Sequence, residues 1–212
     1  MADNYLGNKM EEHLAKQQHS KAAKSGRSFN QLVAENRSYR GFDRSFEVKE
    51  HHLRRMLEIC NKLPSARNQQ VLRYRMVWGE EADKLNRYIR LGGALPELHL
   101  PYPGTAPSAY IVICSTVEES RYVSVDMGIA AQSILLKAVD MGLHGICIGA
   151  FNKEAVKEDL QLPLEPLLLL GIGKGAEKIV LKEVNEGDSL SYYRQDGLHI
   201  VPKISVENLL IH

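Results

Sequence analysis

The segment GLHGICIGAF, residues 142–151, decides the fold because it joins a helix end, a strand and a turn. Gly142 can end a preceding helix, the apolar run after it suits a buried strand, and Gly149 lies where that strand would turn. A glycine at such a turn lets a backbone N–H face a ligand with no side chain in the way, and it allows a backbone angle that a Cβ would oppose. The same glycines also suit a strand end that is only tightly packed, so the segment alone leaves both interpretations open.

Helices are predicted on both sides of this segment. Residues 126–141 are apolar on most of their surface, which predicts a helix in the core or in a subunit interface. Asn152 can cap a short helix that runs to residue 160. An earlier helix is predicted over residues 48–63, where Pro64 would stop it.

Further apolar stretches have the length and composition of strands. They cover residues 72–78, 109–114, 167–170 and 179–184. The first alternates, which predicts one face in the core and one face in solvent. Because helices and strands intermingle along the chain, the sequence predicts an α+β layer with a mixed sheet.

The chain of 212 residues suits a single domain. Residues 1–30 are polar and are predicted to form an N-terminal arm outside the core. Residues 31–212 are predicted to form one domain that includes a C-terminal arm, which ends in a short apolar helix. Residues 91–107 are rich in glycine and proline, which predicts an irregular surface loop or an active-site lid.

The composition argues against several classes of protein. The 27 Lys and Arg residues nearly balance the 26 Asp and Glu residues, whereas a nucleic-acid binder is expected to show a basic excess. We find no apolar run of bilayer length and no signal peptide. The three cysteines have no zinc or disulfide spacing. The sequence therefore predicts a cytoplasmic protein without nucleic-acid, membrane or metal partners.

The first polar motif is NRSYRGF, residues 36–42. Arg37 and Arg40 carry paired donors and charge, and Ser38 adds a neutral donor between them, a set that can converge on a phosphate. Taken alone, the cluster is also what a solvated basic surface looks like.

The second polar motif is PSARNQQ, residues 64–70, between a predicted helix and a predicted strand. Its small residues would let a planar ligand approach the backbone. Asn68 and Gln70 offer the donor and acceptor pairs that the polar edge of such a ring needs. In isolation the motif is also an ordinary polar connection.

A dinucleotide fingerprint, GIGKGA at residues 171–176, has to be rejected. The fingerprint requires a helix that begins at once, with its N-terminus on the pyrophosphate. The residues that follow, EKIVLKEV, alternate like a strand. A Rossmann unit is therefore not expected.

The three motifs, in this order and at these separations, resemble the nitroreductase family. The pieces are R-S-Y-R-G-F, P-S-A-x-N-x-Q and G-L-x-G-x-x-I-G-A-F, and the likeness extends over about residues 30–185. The resemblance implies an α+β three-layer sandwich, with a mixed sheet of four or five strands flanked by helices. It also implies a domain-swapped homodimer in which two FMN molecules lie across the interface.

The resemblance assigns FMN contacts to three groups of residues. The group at the phosphate and the ribityl chain is Arg37, Ser38 and Arg40. The group that reaches the same flavin from the other chain is Pro64, Ser65, Ala66 and Asn68. The group beside the ring is Cys147, Ile148, Gly149 and Ala150, and the resemblance directs a backbone N–H, that of Gly149, towards flavin N5.

The chain departs from the family pattern at the phosphate. Asn36 stands where the family usually has the first of two arginines, so binding is expected to depend more on Arg40 or on a basic residue from elsewhere. The C-terminal HIVPK resembles one branch of the family that often has an arginine after the lysine, where this chain has Ile204. Lys203 and Lys174 are therefore two open candidates for a further phosphate contact.

The implied activity is a ping-pong cycle. NAD(P)H reduces FMN and leaves, and a small acceptor such as a nitroaromatic, a quinone or an enone then takes the electrons. The flavin carries this chemistry, so we expect no side-chain nucleophile. The alternative is an FMN carrier or sensor without turnover, and a third hypothesis is an interaction protein that binds no flavin. The lid-like residues 91–107 favour an enzyme, because a sensor needs no substrate gate.

Overall fold

The computed structural model of the chain describes residues 26–211. The first helix, α1, covers Phe29–Glu35 and begins at Ser28, whose hydroxyl accepts a hydrogen bond from the backbone N–H of Gln31. This helix crosses residue 30, where the sequence suggested that the arm ends. The remainder of the predicted arm, residues 1–25, lies outside the described residues.

The elements are numbered in chain order. The helices are α1 (Phe29–Glu35), α2 (Glu50–Leu57), α3 (Glu80–Leu85), α4 (Arg121–Asp140), α5 (Lys153–Asp159) and α6 (Val206–Leu209). The strands are β1 (Phe42–Asp43), β2 (Leu72–Trp78), β3 (Ala109–Ser115), β4 (His144–Ile148), β5 (Pro166–Gly175), β6 (Lys178–Val184), β7 (Tyr193–Gln195) and β8 (Leu198–Ile204). Short 3-10 turns occur at Cys60–Lys62, Ala66–Asn68, Asn86–Tyr88 and Pro96–Leu98.

The central sheet has five strands, and β5 pairs with three of the other four. Strand β5 pairs with β1, β3 and β4, and β3 pairs in turn with β2. The predicted number of strands is confirmed. Each of these pairs is antiparallel, whereas the sequence predicted a mixed sheet. Parallel pairing occurs instead in a separate three-stranded sheet, where β8 lies parallel to β6 and antiparallel to β7.

Both faces of the central sheet are covered by helices. On β3, Tyr110 and Val112 belong to an apolar cluster that includes residues of α3 and α5. Their neighbours Ile111 and Ile113 point the other way, into a cluster that includes residues of α2 and α4. This alternation is the two-residue period of a strand that is buried on both faces. The α+β three-layer sandwich is confirmed.

Two sequence predictions on local structure need correction. The helix predicted over residues 48–63 ends at Leu57, and the 3-10 turn Cys60–Lys62 follows. The second face of β2 is not all in solvent, because Val77 is fully buried in the cluster with α3 and α5. The rejection of the dinucleotide fingerprint is confirmed, since residues 171–175 complete β5 and strand β6 follows.

Helix α4 is the longest helix in the part of the chain that the structure describes. Its length and mean hydropathy would allow a membrane span, although charged residues interrupt it and no unbroken apolar run has that length. Its side chains Ile134, Ala138 and Val139 are buried against other parts of the same chain. A core helix of this kind passes the same length and composition criteria, so α4 is weak evidence for a membrane partner.

Candidate functional site

The first motif lines a cavity of about 330 Å³ where the α1–β1 connection meets the separate sheet. Its walls are formed by Asn36, Arg37, Ser38, Arg40, Ile179, Tyr192, Val201 and Lys203. Two arginines and a lysine therefore share one cavity, and among the described residues no carboxylate lines it. This arrangement favours an anion, and we call the site the cationic cavity. Lys203 reaches this cavity because β8 pairs with β6 in register, with Lys203 opposite Glu183.

Buried donors without partners are concentrated beside this cavity. Among residues 26–211, three buried side-chain nitrogen or oxygen atoms lack a hydrogen-bond partner, namely Arg37 Nε, Arg40 Nε and His199 Nδ1. Burial lowers the pKa of the Arg37 guanidinium. A buried donor without a partner is costly, so the two arginine Nε atoms mark a place where a ligand could supply the missing acceptors.

Arg40 is held by contacts on several sides. Its Nη1 donates to the carbonyl oxygen of Ser38 at 2.9 Å and lies 3.3 Å from Nε2 of His199. Its guanidinium lies over the ring of Tyr192, 4.3 Å from the centroid. Its backbone N–H donates to a carboxylate oxygen of Glu177 at 2.5 Å. The side chain is thus ordered before any ligand arrives, which lowers the entropic cost of binding.

Asn36 contributes differently from the arginine that the family usually has at its position. Its Nδ2 donates to Oε1 of Gln132 on α4 at 3.2 Å, so its amide joins the cavity wall to the core helix. The neighbouring Arg37 donates from Nη2 to the carbonyl oxygen of Val33 at 2.5 Å. The cationic character of this wall therefore comes from Arg37, Arg40 and Lys203.

The third motif lies next to the first. Ser38 forms an isolated parallel bridge with Gly145, and the N–H of Tyr39 donates to the carbonyl oxygen of Gly145 at 3.2 Å. A Cβ on Gly145 would lie 2.5 Å from Leu135 and 2.8 Å from the carbonyl oxygen of Gly171, so only glycine fits here. The two motifs are therefore joined by backbone contacts within one chain.

The end of the third motif corrects one expectation. The φ of Gly149 lies outside the left-handed region, and a Cβ on it would meet no atom within 4 Å. The backbone angle therefore does not require glycine at this position. Of the other residues assigned beside the ring, Cys147 and Ala150 are exposed and Ile148 is buried. Open space next to Gly149 is compatible with a ligand there.

Lys174 does not lie at the cavity. Its Nζ donates to the carbonyl oxygen of Gly142 at 3.1 Å, where it satisfies an acceptor at the end of α4. Of the two lysines that the sequence left open, the structure brings Lys203 to the arginines and ties Lys174 to the helix end.

The second motif lies at a separate cavity of about 380 Å³, which Pro64, Ser65 and Gln70 help to line. The N–H of Ala66 donates to both carboxylate oxygens of Asp126 on α4, at 2.9 and 3.2 Å. Arg67, Asn68 and Gln70 have positive φ values of 51°, 53° and 48°. Such backbone angles are uncommon outside glycine and occur often at binding sites. Within one chain, this motif is not part of the cationic cavity.

A third cavity, of about 350 Å³, adjoins the end of the third motif. The N–H of Arg90 donates to the carbonyl oxygen of Ala150 at 3.0 Å, which places the two segments side by side. Arg87 and Arg90 line this cavity. Arg87 is 3.6 Å from a carboxylate oxygen of Asp159.

Sequence reasoning gave no role to several residues that shape these sites. They are Glu177, Tyr192, His199 and Asp126. Each acts through a contact between distant parts of the chain, and no local motif marks such a contact. A weak signal was present for His199, because a histidine within the apolar strand HIVP is unusual.

The residues present fit the phosphate end of FMN. Arginine donors with unused Nε atoms, a lysine and a serine surround one cavity, which is the donor set that binds a phosphate dianion. The fold and this site define an α+β sandwich with a built anion site at the edge of its core. The chain belongs to the nitroreductase family, whose model, described as "Nitroreductase family", matches residues 33–174.

Solved structures of this family share the fold. A point variant of an FMN and NADPH-dependent nitroreductase from Sphigopyxis sp. strain HMH is 19% identical with a TM-score of 0.61, and the match covers 71% of this chain and 89% of that one. A protein described as a nitroreductase in complex with FMN, from Exiguobacterium sibiricum 255-15, is 18% identical with a TM-score of 0.60. That match covers 74% of this chain and 92% of the other. At these identities the likeness shows the fold alone.

A curated relative supports the same family. A protein of Methanocaldococcus jannaschii that bears the name of a nitroreductase is 37% identical over 57 residues. The matched part is 27% of this chain and spans only 29% of that relative.

Proposed function

We propose that the chain is an FMN-dependent oxidoreductase that passes electrons from NAD(P)H to a small acceptor. The observation that carries the proposal is the cationic cavity, where Arg37 and Arg40 keep buried Nε donors without partners beside Lys203. Membership of the nitroreductase family supports a flavin oxidoreductase. The acceptor class that we propose is a nitroaromatic, a quinone or an enone.

When bound, FMN would supply the redox chemistry by accepting a hydride at N5 and passing two electrons on. The residues of this chain would bind and orient it. Arg37, Arg40 and Lys203 would hold the phosphate, because charge-assisted hydrogen bonds are the strong ones. The turn around Gly149 would leave room for the ring and present backbone N–H groups to it. The Ala66 turn, fixed by Asp126, would offer a preorganised backbone to a flavin held by the other chain.

The donor would approach beside the third motif. Arg87 and Arg90 line the cavity next to Ala150, and this pair suits the phosphates of a dinucleotide. These contacts do not distinguish NADH from NADPH. The proposal therefore covers both donors.

The absorbance spectrum of the purified chain tests the proposal directly. We expect the maxima of oxidised flavin, and we expect NADH or NADPH to bleach them. Steady NAD(P)H oxidation with menadione or a nitroaromatic would separate an enzyme from an FMN carrier or sensor, which would bind the flavin but not turn over. A colourless chain that fails to bind added FMN would contradict the proposal.

We further propose that the chain is a homodimer. Most of the apolar face of α4 that suggested an interface is buried within the chain, for example at Ile134 and Ala138. A second apolar stripe on α4 is exposed or half-exposed. It consists of Tyr122, Val125, Ile129 and Leu136. These positions fall on one side of a helix with 3.6 residues per turn, so the stripe supports an interface.

A charge in this stripe is expected to dissociate the dimer. Val125→Arg would place a guanidinium in an apolar contact, where an unpaired charge is strongly unfavourable. Light scattering at micromolar concentration should then report the monomer mass of 23.9 kDa, and twice that mass for the native chain. Ser124→Arg is the matched control, because Ser124 is exposed on another side of α4 and should leave the dimer intact. A monomeric native chain would contradict both the dimer and the shared flavin site.

A further inference from the structure

His199 lies on β8, next to two residues that line the cationic cavity, and is only 2% exposed. Its Nε2 is 3.3 Å from Nη1 of Arg40. Its ring centroid is 5.2 Å from that of Tyr192, whose ring also stacks on the Arg40 guanidinium. The histidine, the tyrosine and the arginine therefore form one packed unit.

The contact with Arg40 is a hydrogen bond in only one protonation state of His199. A guanidinium has only donors and stays protonated, so Nε2 of His199 has to be the acceptor. That hydrogen bond requires a neutral imidazole with its proton on Nδ1. In that state the buried Nδ1–H has no partner among the described residues, so the ring is held by the hydrogen bond to Nε2 and by its tilted contact with the Tyr192 ring.

Charged groups face His199 from several elements. Arg40 lies before β1, Glu177 lies in the β5–β6 connection, and Arg194 is on β7. Glu177 accepts from the backbone N–H groups of Arg40 and Gly41, and its other oxygen forms an ion pair with Arg194. An adjacent cavity of about 410 Å³ has His199, Lys178 and Asp196 among its lining residues.

We propose that His199 is a positioning residue for FMN binding, because its neutral imidazole holds the Arg40 guanidinium in place for the phosphate. The inference rests on the proposed function. Without the acceptor at Nε2, Arg40 keeps its bond to Ser38 but loses one of the contacts that order it. Retention of FMN therefore depends on a residue that does not itself line the phosphate cavity.

Acidification should release this contact. Burial, and then the positive charge of Arg40, lower the pKa of His199, so the ring is neutral near pH 7. When the pH falls through that lowered pKa, a proton on Nε2 removes the acceptor and sets two cations against each other. FMN affinity should therefore be complete above the pKa of His199 and fall below it.

The test compares FMN with riboflavin, which lacks the phosphate, on the full-length apoprotein. His199→Leu removes the acceptor and should weaken FMN binding about tenfold, the scale of one hydrogen bond to a charged group, while riboflavin binding changes little. His199→Gln keeps an acceptor near the position of Nε2 and should bind FMN nearly as well as the native chain. Because glutamine does not titrate, the native chain should lose affinity faster than His199→Gln as the pH falls from 8 to 5. Because both proteins bind the same FMN, the difference between their pH profiles excludes the titration of the phosphate itself.

Distinct outcomes separate failure of this inference from failure of the proposed function. A native chain that does not bind FMN overturns the function. A native chain that binds FMN, with equal affinities and equal pH profiles in both variants, overturns the role of His199. If the variants do not fold, nitrogen NMR of the native apoprotein decides the question, since an Nε2–H or doubly protonated His199 at pH 7 contradicts the proposal and an Nδ1–H supports it.

Discussion

Arg40→Ala is expected to weaken FMN binding about a hundredfold while changing riboflavin binding far less. The guanidinium lines the cationic cavity and is already ordered by Ser38, His199 and Tyr192, so its interaction with a phosphate requires little further ordering. Loss of charge-assisted hydrogen bonds corresponds to about 2–3 kcal/mol, which is the hundredfold effect. Fluorescence titration of the apoprotein with each ligand measures both affinities.

Two further variants make the Arg40 result specific. Arg40→Lys keeps the charge but not the planar fork, so an intermediate affinity is expected. Arg54→Ala is the matched control, because Arg54 is an exposed arginine on α2 whose partner is Glu50, and it should bind FMN like the native chain. If Arg40→Ala loses affinity equally for FMN and riboflavin, Arg40 is not at the phosphate.

The layers of the fold could be predicted from the sequence because they follow from local pattern. The apolar run at residues 109–114 and the alternation at 72–78 indicate strands without knowledge of their partners. Strand β5 was predicted only over residues 167–170, although it covers Pro166–Gly175. Its second half contains glycines that interrupt the apolar pattern. The structure gives their reason, since a Cβ on Gly173 would lie 2.7 Å from the ring of Phe42.

The candidate site could be predicted only where it is local in sequence. Arg37, Ser38 and Arg40 lie within four residues, and the structure brings all three to one cavity. The choice between Lys203 and Lys174 depends on the parallel pairing of β6 with β8, which is a long-range contact that composition does not encode. His199 reaches Arg40 through the same pairing, and its role was missed for the same reason.

Gly149→Val is expected to leave FMN bound but to slow its reduction by NAD(P)H on the order of a hundredfold, the scale of a misplacement of about 1 Å between reacting groups. The reason is the open space beside residue 149. A Cβ at residue 149 meets no atom within 4 Å, so the variant should fold, and the valine side chain would occupy the open space that we assign to the ring. In the proposed binding mode Arg37, Arg40 and Lys203 would contact the other end of FMN, so they should still hold the phosphate.

Stopped-flow bleaching of the bound flavin measures the reduction step directly. Gly149→Ala adds a single methyl group and should give a smaller effect than valine if bulk is the cause. Gly26→Val is the matched control, because a Cβ there also meets no atom within 4 Å and residue 26 is not among the cavity-lining residues, so its reduction rate should equal that of the native chain. An unchanged rate in folded, flavin-loaded Gly149→Val would mean that the ring lies elsewhere. The third motif would then contribute only to the packing of β4, where a Cβ on Gly145 would clash with its neighbours.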